Sequence, residues 1–215
     1  MAWMESLQAA GAGQVTACVV SAYILGCFTT GYYLVRSLAG RDIREIQSGN
    51  VGALNVGRVL GKPGLLLTAL GDVGKGVLAV AATRYFTGNP ALEAVALIAV
   101  VVGHLWPVQL RFRGGKGAAT SLGGLLVYDP HLTLAYVICF FAGWVLLRKL
   151  TLSGLLAFAA LPVCSWWLHR DGFNLAVIIL LTGLVLFAHR KNIVEEIPAL
   201  AGRRLASPKP QPPKP

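Results

Sequence analysis

Charge is what this sequence has least of. Only 13% of its 215 residues are Asp, Glu, Lys or Arg, where a soluble domain carries about a quarter. With 55% hydrophobic residues and a mean hydropathy of +0.64, this excludes a disordered chain and argues against a water-soluble globule. Metal and thiol chemistry lack their usual spacing. The four cysteines, Cys18, Cys27, Cys139 and Cys164, each lie in an apolar run, and no pair has ligand or redox spacing. They read as small buried hydrophobes. Walker and Rossmann fingerprints are absent, no metal-ligand cluster appears, and no Ser-His-Asp order stands out. No Lys or Arg precedes the first apolar run, so that run is expected to be a retained helix and not a secretory signal.

What is present is a series of apolar runs, at about 12–35, 64–83, 91–107, 117–128, 131–147, 151–168 and 172–189. A span needs about 20 apolar residues, and the run at 117–128 is about half of that. The expected fold is all-α and integral to a membrane, with seven transmembrane helices. Residues 1–193 form a single polytopic domain. Residues 194–215 form a tail that is Pro-rich and expected to be disordered from 207, where it reads SPKPQPPKP. The formal net charge is +10. The basic residues sit between apolar runs, which points to orientation in a bilayer and to anionic ligands before nucleic acid. With the N-terminus outside and the C-terminus cytoplasmic, sixteen Lys and Arg fall on the cytoplasmic side and two, Arg84 and Arg170, on the other. Lys75 lies within a span. That asymmetry requires an odd number of spans and therefore counts the short run as one. Trp106, Trp144, Trp166 and Trp167 lie near the expected helix ends, as an interfacial belt requires.

The polar residues gather on the cytoplasmic side. Ser48 to Arg58 is a loop dense in glycines and amides, including Gly49, Asn50 and Asn55. Its spacing fits a flexible turn as well as a phosphate cradle. A second loop, Phe112-Arg113-Gly114-Gly115-Lys116-Gly117, precedes a small-residue helix that opens Ala118-Ala119-Thr120. It reads as an anion nest at a helix N-terminus, with Lys116 as a mobile cation. Asp72 and Lys75 are three apart and share a helix face. A mutual ion pair and a ligand site both fit them, since ionisable groups in a span face a partner or a cavity. His104, before Pro107, fits a hydrogen-bonded packing residue as well as a ligand-facing one. His189 and Asn192 end the last run, also three apart. Thr151 and Ser153 open the sixth run, as a helix N-cap or as hydroxyl candidates. The residues alone thus describe a membrane protein with a cytoplasm-facing site for phosphate-bearing ligands. An anion transporter is the alternative, disfavoured by the scarcity of polar residues deep in the other spans.

At this point three motifs carry a resemblance. SGNVGALNVGRVLG is similar to SGN-x-GATN-x-x-R-x-x-G of the bacterial acyl-phosphate:glycerol-3-phosphate acyltransferases, the PlsY family. The D-x-x-KG at Asp72 follows as it does there. GHLWPVQLRFRGGKGAAT resembles the second motif, GH-x-x-P-x-x-x-x-F-[KR]-GGKG-x-AT. HRKNI at 189–193 resembles the third, HR-x-NI. Together they cover about residues 20–193. The resemblance implies a seven-helix inner-membrane enzyme whose site faces the cytoplasm. It would move a fatty acyl group from acyl phosphate to the 1-hydroxyl of glycerol 3-phosphate, giving 1-acylglycerol 3-phosphate and phosphate in phospholipid synthesis. No cofactor or metal is implied. The implied partners are the two substrates, membrane lipids, and the enzyme that makes acyl phosphate from acyl carrier protein, with no nucleic acid.

Carried over by motif, Ser48, Gly49 and Asn50 with Gly114, Gly115, Lys116 and Gly117 hold the donor's phosphate. Arg58 and Lys116 hold the acceptor's phosphate or the charge that develops during attack, and His189 and Asn192 orient the acceptor. Asn55, Asp72, Lys75, His104 and Thr120 complete the implied substrate-binding set. Two positions depart from the pattern. Leu54 stands where the family usually has Thr. After HRKNI the chain reads VEEIPALAGRRLA in place of a basic, leucine-rich stretch ending in Gly-x-Glu. A catalytically weakened or inactive relative is the alternative these departures suggest.

Overall fold

The computed structural model describes Glu5 and residues 10–200, the side chains of 196–200 excepted. The expected tail from 207, with Arg203, Arg204, Lys209 and Lys214, lies outside the described residues. Regular structure among the described residues is helical: α1 (Ala12–Cys27), α2 (Thr30–Ala39), α3 (Ala53–Thr87), α4 (Pro90–Leu105), α5 (Ala118–Tyr128), α6 (Pro130–Leu147), α7 (Leu150–His169), α8 (Gly172–Ala188) and α9 (Arg190–Leu200), with 3-10 turns at Ile43–Glu45 and Val108–Leu110. The expected domain boundary at 193 falls inside α9. Five segments are long and apolar enough to cross a membrane: Ala12–Ala39, Ala53–Thr87, Pro90–Leu110, Pro130–Leu147 and Leu150–His169. Helices α5 and α8 are apolar but shorter. At 1.5 Å per residue, α5 is about 16 Å long, half the hydrocarbon thickness.

Helix starts follow local chemistry. Asn89 accepts from the Ala91 and Leu92 amides, and Asp129 from those of His131 and Leu132. In both cases a proline follows at the first helical position, where no N–H is needed. Helix α7 departs from this pattern. Lys149 is its N-cap, without a side-chain bond, and Ser153 donates to the Lys149 carbonyl at 2.7 Å. The N-cap expected of Thr151 and Ser153 is therefore not formed.

Two long runs are not straight. The first breaks at Phe28 and Thr29, both extended, and the break frees carbonyls inside the bundle. Gln109 donates to the Cys27 oxygen at 2.6 Å, and Lys75 takes those of Gly26 and Phe28. Helix α3 starts at Ala53, eleven residues before the run it was expected to follow, and kinks at Gly61 (φ 70°, ψ −166°) ahead of Pro63. The proline lacks an N–H and cannot continue the ladder. Asn55 and Arg58 consequently sit on helix and not in loop.

The helices approach through glycine. A Cβ on Gly26 or Gly103 would fall on the backbone of the facing helix at Val100 or Tyr23, and one on Gly76 or Gly123 on Thr120 or Val73. Contacts this close replace the hydrophobic drive that is absent within lipid. They lock α1 to α4 and α3 to α5. Phe158, Leu97, Leu125, Leu161, Ile178 and Leu181 fill the main core. A smaller core of Val35, Ile43, Val51 and Val56 clamps the 40–52 loop against α2 and the start of α3. Helix α6 leaves Ile138, Phe141, Val145 and Leu146 exposed, as a lipid-facing surface.

Candidate functional site

A cavity of about 290 Å³ opens where the N-termini of α3, α5 and α7 meet the C-terminal ends of α4 and α8. The basic loops lie at this end of the bundle. Two of its walls are helix starts, Gly52-Ala53-Leu54 and Gly117-Ala118-Ala119. First-turn amides have no partner within their own helix and carry the positive end of the dipole, so both walls favour an anion. Gly117, at φ 80°, makes the sharp entry into α5. Arg58 and Lys116 add two cations, and Ser48, Asn50, Thr151, His189 and Asn192 complete the polar lining.

Each side chain is set by its element. Lys116 donates its ammonium to Asn192 Oδ1, joining the glycine loop to α9. His189 ends α8, and its Nδ1 lies 2.8 Å from the Val185 carbonyl. A carbonyl only accepts, so Nδ1 carries the proton and a neutral ring presents a bare Nε2. Asn55 is buried at 2% exposure. Its Oδ1 accepts from the Ser48 amide, and its Nδ2 faces the carbonyls of Ile43, Ile46 and Asn50 at 3.4, 3.1 and 2.9 Å. Asn55 therefore builds the loop that carries Ser48 and Asn50. Leu54, 51% exposed, puts methyl groups on the cavity wall one turn before Arg58.

Of the residues expected at the site, Ser48, Asn50, Asn55, Arg58, Asp72, His104, Lys116, Gly117, His189 and Asn192 line the cavity. Gly49, Lys75, Gly114, Gly115 and Thr120 stand behind it. Gly49 (φ 67°) turns the chain against the Arg44 carbonyl. The amides of Gly114 and Gly115, expected to form an anion nest, donate to the Leu105 and His104 carbonyls at 3.1 and 3.0 Å. These glycines let the loop lie flat on α4, where a Cβ on Gly115 would overlap His104 Nε2. Thr120 is fully buried, and its carbonyl packs against Gly76.

Arg44 was not anticipated. It makes a bidentate pair with Asp42, donates to the Leu110 carbonyl at 2.8 Å, and lies 5.1 Å from the Tyr32 ring centre. It ties the first polar loop to the turn that leads into the second. Nothing in DIRE announces a partner 66 residues away. The Arg44 guanidinium holds the Asp42 carboxyl below its usual range. A depressed carboxyl stabilises the fold above its unfolded pKa and loses that contribution as pH falls through its folded one. The melting-temperature gap between wild type and Asp42→Asn should be constant from pH 8 to about 5 and close toward pH 3. A gap that does not change with pH would show that the ion pair contributes nothing.

The model of the glycerol-3-phosphate acyltransferase family matches residues 16–198. Glycerol-3-phosphate acyltransferase 1 of Desulfitobacterium hafniense (strain Y51) is 45% identical over 186 residues, covering 86% of this chain and 92% of the relative. The glycerol-3-phosphate acyltransferase of Clostridioides difficile (strain 630) is 40% identical over 179 residues, covering 81% and 87%. The crystal structure of PlsY, an integral membrane glycerol 3-phosphate acyltransferase, in its glycerol 3-phosphate form is similar at a TM-score of 0.76 and 31% identity, across 88% of this chain and 93% of that one. A likeness that runs through α1–α9 and brings the three motif loops to one cavity leaves one assignment: the chain is a multi-pass membrane protein of the glycerol-3-phosphate acyltransferase family.

Proposed function

We propose that this protein transfers a fatty acyl group from acyl phosphate to the 1-hydroxyl of glycerol 3-phosphate, releasing 1-acylglycerol 3-phosphate and inorganic phosphate. The observation that carries the reading is the convergence of two helix N-termini, Arg58 and Lys116 on one small cavity beside His189 and Asn192. Both substrates are phosphate esters or anhydrides, and the cavity is built for anions. The neighbouring structures, in glycerol 3-phosphate and lysophosphatidic acid forms, belong to an enzyme of the same reaction class.

The chemistry asks for little beyond position. The acceptor's hydroxyl oxygen attacks the acyl carbon, an ester bond forms, the bond from the acyl carbon to the phosphate oxygen breaks, and the hydroxyl proton ends on the released phosphate. Acyl phosphate already carries a good leaving group, so fixed cations and amides supply the remaining stabilisation. Lys116 and Arg58 neutralise the leaving and accepting phosphates. Asn192 holds Lys116, and the bare Nε2 of His189 accepts from a substrate hydroxyl. Gly52–Leu54 and Gly117–Ala119 supply amides. Ser48 and Asn50 add side-chain donors to the donor's phosphate.

The same reading places the protein in a bacterial inner membrane with seven spans, α5 and α8 among them, the N-terminus outside and the site facing the cytoplasm. Residues 1–193 act as one domain and 194–215 as a cytoplasmic tail. The support is the charge asymmetry together with the cavity's position among the basic loops. The opposite ends of the helices gather Arg84, Glu93, Asp129, His131 and His169 around a second pocket. The donor would come from an enzyme that converts acyl carrier protein thioesters to acyl phosphate.

The test is purified protein with palmitoyl phosphate and labelled glycerol 3-phosphate, with palmitoyl-CoA as the parallel donor. Labelled 1-acylglycerol 3-phosphate from the acyl phosphate alone is expected. Product from the CoA donor alone would overturn the donor. No product from a folded protein would favour a weakened relative, the second reading, for which Leu54 on the cavity wall is the specific observation.

A further inference from the structure

The buried trio Asp72, Lys75 and His104 does more than permit insertion. Its side chains are 3–4% exposed. Lys75 Nζ has four neighbours: the Phe28 carbonyl at 2.8 Å, the Gly26 carbonyl at 3.1 Å, Asp72 Oδ1 at 3.1 Å and His104 Nδ1 at 2.6 Å. Three of these, two carbonyls and a carboxylate, only accept hydrogen bonds. An ammonium offers three N–H groups and no lone pair. Facing it at 2.6 Å, His104 Nδ1 must be the unprotonated nitrogen, with one N–H shared between two acceptors. The ring is then neutral and its proton sits on Nε2. That nitrogen has no hydrogen-bond partner among the described residues. It faces Gly115, whose missing Cβ leaves room for it, and His104 lines the cavity while Lys75 does not.

We infer that His104 is a phosphate-binding donor of the cavity, its Nε2–H fixed in place by Lys75 acting as a positioning residue from behind. This deepens the proposed function, because the ligand is one of that reaction's phosphates. The arrangement explains why the first run breaks at Phe28. The break supplies two carbonyls that, with Asp72, hold the ammonium, and Thr30 just after it donates to Asp72 Oδ1 at 3.2 Å. It also gives the two cavity histidines opposite tautomers. His104 offers a proton to an oxyanion, and His189 offers a lone pair to a hydroxyl.

The probe is inorganic phosphate and the readout is the nitrogen-15 spectrum of histidine-labelled protein in micelles. The chain has four histidines, and loss of one signal set in His104→Gln assigns His104. The wild type should show His104 protonated on Nε2 and His189 on Nδ1, with phosphate shifting the His104 Nε2 resonance. A glutamine amide can stand in for that N–H, so His104→Gln should keep the phosphate Kd within about 3-fold. His104→Phe should weaken it roughly 10- to 100-fold, the range for a hydrogen bond to a charged group. Lys75→Met should mix the two His104 tautomers and weaken phosphate, although residue 75 does not line the cavity. His104 protonated on Nδ1 in the wild type, or equal phosphate affinity in the Gln and Phe variants, would overturn the assignment. A purely structural trio would lower melting temperatures without a phosphate-dependent shift at Nε2. The wild-type spectrum decides even if a variant does not fold. Failure of acyl transfer with these signatures intact would sink the proposed reaction and leave the subsite standing.

Discussion

Lys116→Met should reduce acyl transfer from acyl phosphate by at least 10²- to 10³-fold in kcat/KM, with little change in melting temperature. The magnitude follows from removing one preorganised charge aimed at developing negative charge in a desolvated site. The unchanged stability follows from how the loop is held. The Gly114 and Gly115 amides bind the Leu105 and His104 carbonyls, Gly117 starts α5 in its left-handed conformation, and none of these uses the lysine side chain. Asn192→Ala, which removes an oxygen that accepts from Lys116, should cost less, because the charge stays in the cavity while its direction loosens. A Lys116→Met protein that turns over at the wild-type rate would remove the lysine from the mechanism.

How much of this was legible beforehand depended on the range of the interaction involved. Each expected apolar run falls on helical structure, the first of them on two helices, because hydropathy is a local property. The caps at Asn89-Pro90 and Asp129-Pro130 are equally local. The break at Phe28–Thr29 was not legible, since neither residue is a helix breaker and its support comes from Lys75, 47 residues away. Gly61 and Pro63 did carry a signal, but they lie between the expected loop and the expected run at 64–83, and the chain forms about two helical turns ahead of them before the kink. The glycine-rich loops were identified and in part misassigned. A glycine that lets an anion approach and one that lets a helix approach look alike in sequence, and Gly114 and Gly115 are of the second kind. The pairing of Asp72 with Lys75 was readable from their spacing of three. That His104 completes the cluster from α4 was not, because it requires the Gly26–Val100 and Gly103–Tyr23 contacts that bring α4 against α1.

Asn55 gives the sharpest separation between building a site and touching a substrate. Asn55→Leu should lower stability by roughly 2–4 kcal/mol, the cost of leaving two or more buried polar groups unpaired. It should also lower activity by about 10²-fold or more, through the loop that carries Ser48 and Asn50. Asn55→Asp should be worse than Asn55→Leu. It keeps the oxygen that accepts from Ser48 but turns a second, charged oxygen toward the carbonyls of Ile43, Ile46 and Asn50, all within 3.4 Å of the present amide nitrogen. A substrate-binding asparagine predicts the reverse pattern. Both variants would then keep the wild-type melting temperature and differ only in KM. Thermal melts in detergent beside the palmitoyl phosphate assay distinguish the two. The order Asn, Leu, Asp in both stability and activity is expected, because the three carbonyls around Nδ2 require a donor and tolerate an apolar group better than a fourth acceptor.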